Sequence, residues 1–116
     1  MFNVIIAGGR NFDDYLALKK YCDHLLQNKS EVIIISGKAN GADKLSEQYA
    51  KEKNFPIAEF PANWNAYGKA AGFKRNKEMA IYADALIAFW DCKSKGTKHM
   101  IDTAKFKDIP TKIFYY

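Results

Sequence analysis

Hydrophobic and polar residues follow two alternating spacings along the chain. Short continuous apolar runs are typical of strands buried on both faces. Between them, apolar residues recur every three to four positions, as in amphipathic helices. The predicted strands are Phe2–Ala7, Glu31–Ser36, Pro56–Pro61, Ala85–Trp90 and Thr111–Tyr116. The predicted helices are Asp13–Asn28, Gly41–Asn54, Lys74–Ala83 and Gly96–Asp108, and a loop is expected over residues 62–73.

Each predicted helix has an apolar stripe that should face a sheet. Asp13 is expected to cap the first helix, because a short carboxylate accepts hydrogen bonds from free backbone N–H groups. Cys22 lies on that helix's stripe and is interpreted as a core residue. The residues expected to face inward are Tyr15, Leu18, Cys22 and Leu25; Ala42, Leu45 and Tyr49; and Met100, Ile101, Ala104 and Phe106.

Alternation of buried strands and helices predicts an α/β fold, a Rossmann-like three-layer sandwich with a five-stranded parallel sheet. Prolines at both ends of the third strand place it at an edge. The predicted strand order is 3-2-1-4-5, within one domain that covers residues 1–116. In such sheets ligands bind beyond the carboxyl ends of the strands, where the order reverses, here between the first and fourth strands.

Composition indicates where in the cell the protein works and what it could attract. No apolar run is long enough to cross a membrane, and the first residues lack the basic and small-residue features of a signal peptide. Cys22 and Cys92 are far apart and form no CxxC motif, which favours a reduced, cytoplasmic protein. The net charge of +5 could attract nucleic acid without sequence preference.

The loops after the first four strands contain an unusual set of residues. They include all seven glycines of the chain and both of its arginines, Arg10 and Arg75, whereas the other basic residues are scattered lysines. A guanidinium presents a planar fork that suits carboxylate or phosphate. Because all four loops leave the same edge of the predicted sheet, this concentration indicates a binding site.

The third loop should bring Arg75 to that site. With the predicted order, the chain must pass three strand spacings, about 14 Å, between the third and fourth strands, which about twelve residues can span. The loop then runs over the carboxyl edge and places Arg75 in the first turn of the third predicted helix. Two guanidiniums and several helix N-termini would converge there, which is an environment for phosphate.

Two further loops offer polar groups to an anion. Ser94 to Thr97 open a helix, so free N–H groups and two hydroxyls are expected there. The stretch SGKANGAD (Ser36–Asp43) could act in the same way. In the alternative interpretation, Asn40 and Asp43 only cap the second helix while Gly37 and Gly41 only turn the chain. Trp64 and Tyr67 could stack on a base or simply cover the sheet edge, and that choice stays open.

The sequence does not match several well-known motifs for phosphate, dinucleotide or metal binding. YGKAA has alanine where a P-loop needs a hydroxyl, and no G-x-G-x-x-G follows the first strand. His24 and His99 lie on separate predicted helices without cysteine or carboxylate partners at ligand spacing, so surface or cap roles are favoured over a metal site. No cofactor is predicted. Cys92 has no histidine placed to activate it, and Asp91 is a weak candidate for a catalytic carboxylate.

The segments GGRNF, SGKANGAD, NWNAYGKAAGFKRNKEM and WDCKSKGTKHMI occur in an order and spacing that resemble the YspA-type proteins, which are related to YpsA. These belong to the SLOG superfamily of Rossmann-like domains, which includes the LOG phosphoribohydrolases and the DNA-loading protein DprA. The resemblance covers nearly the whole chain. It implies a nucleotide or nucleotide-derived ligand at the carboxyl edge, and members are proposed to be ligand sensors or nucleotide-processing enzymes.

The resemblance also assigns residues. Its site would comprise Gly8, Gly9, Arg10, Gly37, Gly41, Asp43, Arg75, Asn76, Gly96 and Thr97, to which the loop analysis adds Ser36, Asn40 and Ser94. Relatives often have His-Gly-Gly-Ala-Arg-Gly-Ala-Asp in the second loop, where this chain has Ser36, Lys38 and Asn40 at the histidine, second glycine and arginine positions. Phe73 replaces a usual proline, and Met100 stands where the LOG enzymes carry a glutamate.

These observations lead to three hypotheses. The chain is expected to bind a phosphate-bearing nucleotide derivative as a sensor or nucleotide-processing domain. The first alternative is an enzyme that cleaves nucleoside monophosphates at the glycosidic bond, with Asp91 as a substitute carboxylate. The second is a module that binds single-stranded nucleic acid, which is a less favoured partner. No membrane partner is expected, and self-association is plausible because related LOG proteins dimerise.

Overall fold

A computed structural model describes residues 1–116 as alternating strands and helices. The strands are β1 (Phe2–Gly8), β2 (Val32–Ser36), β3 (Ile57–Glu59), β4 (Ala85–Trp90) and β5 (Thr111–Tyr115). The helices are α1 (Tyr15–Leu26), α2 (Ala42–Lys53), α3 (Trp64–Tyr67), α4 (Ala71–Tyr82) and α5 (Lys95–Phe106), and a short 3-10 helix (Gly68–Ala70) joins α3 to α4.

The five strands form one parallel sheet in the order β3-β2-β1-β4-β5, which confirms the predicted topology. β1 lies at the centre and pairs with β2 on one side and β4 on the other. Its last residue, Gly8, is in register with Phe89 of β4. Since all strands run the same way, the loops after β1, β2, β3 and β4 leave from one edge, and the order reverses between β1 and β4.

Helices cover both faces of the sheet, as the continuous apolar run of β1 requires, because both faces of this strand must be buried. Successive side chains of a strand point to opposite faces. Val4 and Ile6 pack in the hydrophobic cluster that includes α1 and α2 residues, whereas Ile5 and Ala7 pack in the cluster of α4 and α5. Each such large side chain contributes roughly 1.5–3 kcal/mol through burial. β1 therefore anchors both layers and holds the loop that follows it in a fixed position.

Two details of the helices differ from the prediction. α1 is capped by Asp14, not Asp13: the Asp14 Oδ1 accepts a hydrogen bond from the N–H of Ala17 at 3.0 Å. Phe106 does not face inward, because it ends α5 with 88% of its surface exposed. The other stripe residues are buried or pack against the two clusters. No helix of the chain combines the length and the apolar character needed to span a membrane.

The segment 62–73 is not the loop that was predicted. Asn63 caps α3, its Oδ1 accepting from the N–H of Ala66 at 3.1 Å, and Gly68 ends that turn with a φ of +55°. α4 then begins at Ala71, three residues earlier than expected. Arg75 consequently lies in the second turn of α4 and not in the first.

The C-terminal residue closes over the loop that follows β1. The hydroxyl of Tyr116 donates to the Oδ1 of Asn11 at 3.3 Å, and its ring centroid lies 4.8 Å from that of Phe12. The N-terminal amine pairs with Glu31 at 3.6 Å, at the other end of the strands. The two ends of the described chain therefore lie at opposite edges of the sheet.

Candidate ligand-binding site

A cavity of about 440 Å³ lies at the carboxyl edge of the sheet, where the strand order reverses. This volume falls within the range of small-molecule sites. The loop after β1 forms one side, α4 and α3 form another, and the N-terminal turn of α5 forms a third. Nine of the thirteen predicted site residues line it: Gly8, Gly9, Arg10, Asp43, Arg75, Asn76, Ser94, Gly96 and Thr97.

Arg10 is one of two guanidiniums at this cavity. It follows the strand end at Gly8-Gly9, and the backbone N–H of Gly9 is held by the carbonyl of Phe89 at 3.3 Å. The side chain of Arg10 is exposed, and none of the salt bridges of the protein involves it. An unpaired guanidinium on this loop is available to an anion.

Arg75 is the second guanidinium, and the protein holds only part of it. Its Nε donates to the Oδ1 of Asn76 at 3.1 Å, and its Nη1 donates to the carbonyl of Gly37 at 2.6 Å. Nη2 has no partner within the protein. Burial lowers the pKa of this guanidinium, Asp43 opposes that effect, and the positive charge of Arg10 adds to it. Arg75 is therefore oriented, partly desolvated and still able to donate hydrogen bonds.

Asp43 lines the same cavity as the two arginines, with 6% of its surface exposed. Its Oδ2 accepts from the N–H of Ala39 at 3.1 Å. Burial raises the pKa of this carboxyl to about 6, although the Ala39 N–H and the charge of Arg75 act in the opposite direction. Asp43 does not cap α2, whose N-cap Gly41 has no side-chain partner. It stabilises the bend of the second loop and sets the local charge beside Arg75.

Asn76 joins α4 to α5 at the back of the cavity. It is 4% exposed, and all of its polar atoms have partners. Its Oδ1 accepts from the Nε of Arg75, while its Nδ2 lies 3.2 Å from the carbonyl of Gly96 and 3.1 Å from the Nδ1 of His99. This side chain therefore sets both the orientation of Arg75 and the position of the first turn of α5.

The N-terminal turn of α5 presents donors to the same space. Ser94 is the N-cap, its Oγ accepting from the N–H of Thr97 at 3.4 Å and lying 3.0 Å from the Thr97 hydroxyl. Gly96 has open space where a side chain would stand. The N–H groups of a first helical turn have no partners within the helix, and the helix dipole favours negative charge there.

Apolar and aromatic side chains complete the cavity. Met79 and Met100 line its floor and are both almost fully buried. Trp64 and Phe73 stand at the rim, 50% and 45% exposed, so an aromatic surface adjoins the polar walls. Lys69 adds a further cation at the rim. No group of three or more His, Cys, Asp or Glu side chains is arranged as a metal site.

The remaining residues predicted in the second loop lie outside the main cavity. Gly37 and Asn40 line an adjoining pocket of about 400 Å³, which also includes Arg10 and Arg75. Ser36 is buried, and its hydroxyl donates to Glu47 at 2.7 Å. Gly41 has a φ of +75°, and a Cβ there would run into the carbonyls of Gly9 and Arg10, so this glycine permits close packing of two loops.

Asp91 and His99 contact neighbouring protein groups near the cavity. Asp91 does not line the cavity, and its Oδ1 accepts from the N–H groups of Lys93 and Ser94 at 2.8 Å each, which lowers its pKa. It stabilises the loop before α5. His99 is not a simple surface residue, because it contacts Asn76 and stacks on Phe73 with ring centroids 4.3 Å apart. The sequence shows a histidine on α5, but it does not show that the side chains which His99 contacts, Asn76 and Phe73, belong to α4.

Comparisons with known proteins agree with this architecture. The family model described as "YAcAr: YspA, cpYpsA-related SLOG family" matches residues 2–67. "Gene 61 protein" of Mycobacterium phage D29 is 31% identical over 117 residues, covering 95% of this chain and 94% of that protein. A solved structure of DNA processing protein A from Helicobacter pylori, titled for its single-stranded DNA binding mode, superposes with a TM-score of 0.70 at 18% identity. That match covers 97% of this chain and 64% of the other, and it confirms the fold.

Proposed function

Because the chain belongs to the YspA, cpYpsA-related SLOG family, we propose that it binds a phosphate-bearing nucleotide or nucleotide-derived ligand in the cavity at the carboxyl edge. It would act as a ligand sensor or as a nucleotide-processing domain. One observation carries the proposal: Arg10 and Arg75 line the same cavity, and neither takes part in a salt bridge. The two guanidiniums would hold the anionic oxygens of the ligand.

The walls of the cavity suggest how such a ligand would lie. The phosphate would sit between the two guanidiniums and the first turn of α5, where Gly96 leaves space and free N–H groups are available. Gly8 and Gly9 line this space, but a Cβ at Gly8 would meet Phe89 and Ala42 and one at Gly9 would meet the Tyr116 hydroxyl, so these glycines allow the wall of the cavity to pack closely. The ring system would then extend towards Trp64 and Phe73 at the rim, because aromatic faces stack on bases.

Isothermal titration calorimetry with inorganic phosphate, AMP, ADP and ADP-ribose tests the proposal. We expect Arg10→Ala and Arg75→Ala to weaken binding of the best nucleotide roughly 10- to 100-fold, since a hydrogen bond to a charged group contributes about 1.5–3 kcal/mol. Lys112→Ala removes a cation from the exposed edge strand and is the matched control, with unchanged affinity expected. Equal affinities in all four proteins would contradict the proposal.

Hydrolysis of the glycosidic bond is the less favoured activity. Met100 occupies the floor position where a catalytic glutamate would be needed, and Asp91 is engaged with the loop before α5. We propose ligand binding without this reaction. The test is release of ribose 5-phosphate from nucleoside monophosphates; release that disappears in Asp91→Asn would favour the enzyme.

Binding of single-stranded nucleic acid is the second candidate. Trp64 at the rim and Tyr67 at the other end of α3 are about half exposed, and the Nζ of Lys74 lies 4.9 Å from the centroid of the Tyr67 ring. Exposed aromatics next to cations suit stacked bases. Fluorescence anisotropy with a labelled oligothymidylate would support this function if affinity fell steeply with salt and with Trp64→Ala, but not with Arg10→Ala.

The cellular location of the protein stays a prediction. Both cysteines are free thiols, Cys22 in the core and Cys92 at the surface, and we propose a cytoplasmic location on that ground. The organisation as one domain and self-association are likewise proposals. Sedimentation velocity with and without the best nucleotide would measure self-association.

A further inference from the structure

The orientation of the Asn76 side-chain amide is determined by two partners. The Nε of Arg75 can only donate a hydrogen bond, so it must face the amide oxygen. The carbonyl of Gly96 can only accept, so it must face the amide nitrogen. Reversing the amide would place two donors together on one side and two acceptors on the other. The Nδ2 group of Asn76 therefore points towards α5.

This orientation settles the protonation of His99. One amide hydrogen of Asn76 goes to Gly96, and the other points at the Nδ1 of His99, 3.1 Å away. Nδ1 must therefore carry a lone pair, and the ring is the neutral form with its proton on Nε2. The ring stacks on Phe73 at an interplanar angle of 21°, which holds it in the plane that this hydrogen bond requires.

The charges around the ring agree with a neutral histidine. Burial lowers the pKa of His99, and the positive charge of Lys77 on α4 acts in the same direction. Asp102 on α5 opposes them, but it is paired with Lys98 at 2.7 Å. The helix α5 also packs against β1, β4 and β5, and the charges that act on this ring, those of Lys77 and Asp102, come from none of these strands.

We propose that His99 is a positioning residue of the ligand-binding site, acting through Asn76 on Arg75 and on the first turn of α5. The inference rests on the proposed function, because it concerns how that site is held ready for an anion. The neutral ring receives the second amide hydrogen of Asn76 and so keeps the Asn76 oxygen on the Nε of Arg75. Arg75 then presents its remaining donors to the cavity without having to reorganise when the ligand binds.

Protonation of His99 disrupts this arrangement. A proton on Nδ1 faces the amide hydrogen of Asn76, and the only relief within the side chain is rotation of the amide. Rotation turns the amide nitrogen towards the Nε of Arg75 and the amide oxygen towards the carbonyl of Gly96. The hydrogen bonds of Asn76 to Arg75 and Gly96 should therefore be lost together as the pH falls through the pKa of His99.

A ligand-free NMR titration tests the coupling. In the wild type, ¹⁵N spectra should show His99 as the Nε2–H form at neutral pH, and the Arg75 Nε–H and Asn76 amide signals should shift with the midpoint of His99. In His99→Asn, whose Oδ1 can replace Nδ1 as the acceptor, those shifts should vanish. An Nδ1–H form, or Arg75 and Asn76 signals that ignore the titration of His99, would overturn the inference.

Phosphate and AMP affinities at a fixed pH of about 8, where histidine is neutral, provide the functional readout. His99→Phe keeps a ring to stack on Phe73 but lacks the acceptor, so we expect affinity to fall roughly five- to tenfold. His99→Asn should restore most of it. Wild-type affinity in His99→Phe would refute the positioning role alone. A wild type that binds none of phosphate, AMP, ADP and ADP-ribose, with the NMR coupling intact, would instead refute the proposed function, and the positioning role with it.

Discussion

Replacement of Asp43 by asparagine should change how the stability of the protein depends on pH. The carboxyl is 6% exposed, and burial raises its pKa from 3.8 to about 6. Because the folded state binds this proton more tightly than the unfolded state, the associated stability is complete below pH about 4 and is lost as the pH rises through about 6. Asparagine is neutral at every pH and keeps an oxygen for the N–H of Ala39.

The size of the effect follows from the shift in the pKa of Asp43. A difference of about 2 pKa units between the folded and unfolded states corresponds to about 3 kcal/mol. The free energy of unfolding of the wild type, relative to that of Asp43→Asn, should therefore fall by up to about 3 kcal/mol between pH 4 and pH 7.5. For a domain of this size that corresponds to roughly 10 °C in Tm. His99 titrates in both proteins, so its contribution cancels in the comparison.

Urea denaturation followed by tryptophan fluorescence at several pH values measures this difference. Asp102→Asn is the control with the opposite sign, because Lys98 lowers the pKa of that exposed carboxyl and its stabilising effect is lost towards acid pH. Parallel stability curves for the wild type and Asp43→Asn between pH 4 and 7.5 would refute the reasoning. So would a curve for Asp43→Asn that falls below the wild type as the pH rises.

Three further substitutions probe particular contacts. Gly41 has a φ of +75° and a Cβ there would meet the Gly9 carbonyl, so Gly41→Ala should be destabilising. We expect a loss of about 2–4 kcal/mol in urea titrations, and a loss under about 1 kcal/mol would contradict this. Gly37→Ala places a Cβ 2.8 Å from the Nη1 of Arg75. Calorimetry should then show roughly five- to tenfold weaker phosphate binding, and unchanged affinity would show that this contact is not needed. Tyr49→Phe removes a hydrogen bond of 2.8 Å to Asp23. The loss should be about 1.5–3 kcal/mol in thermal unfolding, because the acceptor is a charged carboxylate, whereas a stability equal to the wild type would mean that water replaces that bond fully.

The sheet order could be predicted because it depends on information carried by each segment alone. The apolar run of β1 shows that it is covered on both faces, and the prolines around β3 place that strand at an edge. The position of Arg10 followed directly, since it comes straight after β1. Crossover rules then restrict the remaining choices to a few.

The details of the site were harder to predict because they depend on contacts between distant residues. His99 meets Asn76 across 23 positions of sequence, and nothing near either residue indicates the pairing. The sequence does not indicate that α4 begins at Ala71, because the next residue, Gly72, is a poor helix former. Asp13 and Asp14 are equally suitable caps by composition, and only the path of the chain decides between them.

The position of Tyr116 has a practical consequence for anyone who handles this protein. Its side chain touches Asn11 and Phe12, beside the loop that carries Arg10. An affinity tag or fluorescent fusion attached after Tyr116 would therefore emerge next to the mouth of the cavity and could obstruct it. Met1 lies at the far edge of the sheet, next to Glu31, so labels and immobilisation chemistry belong there.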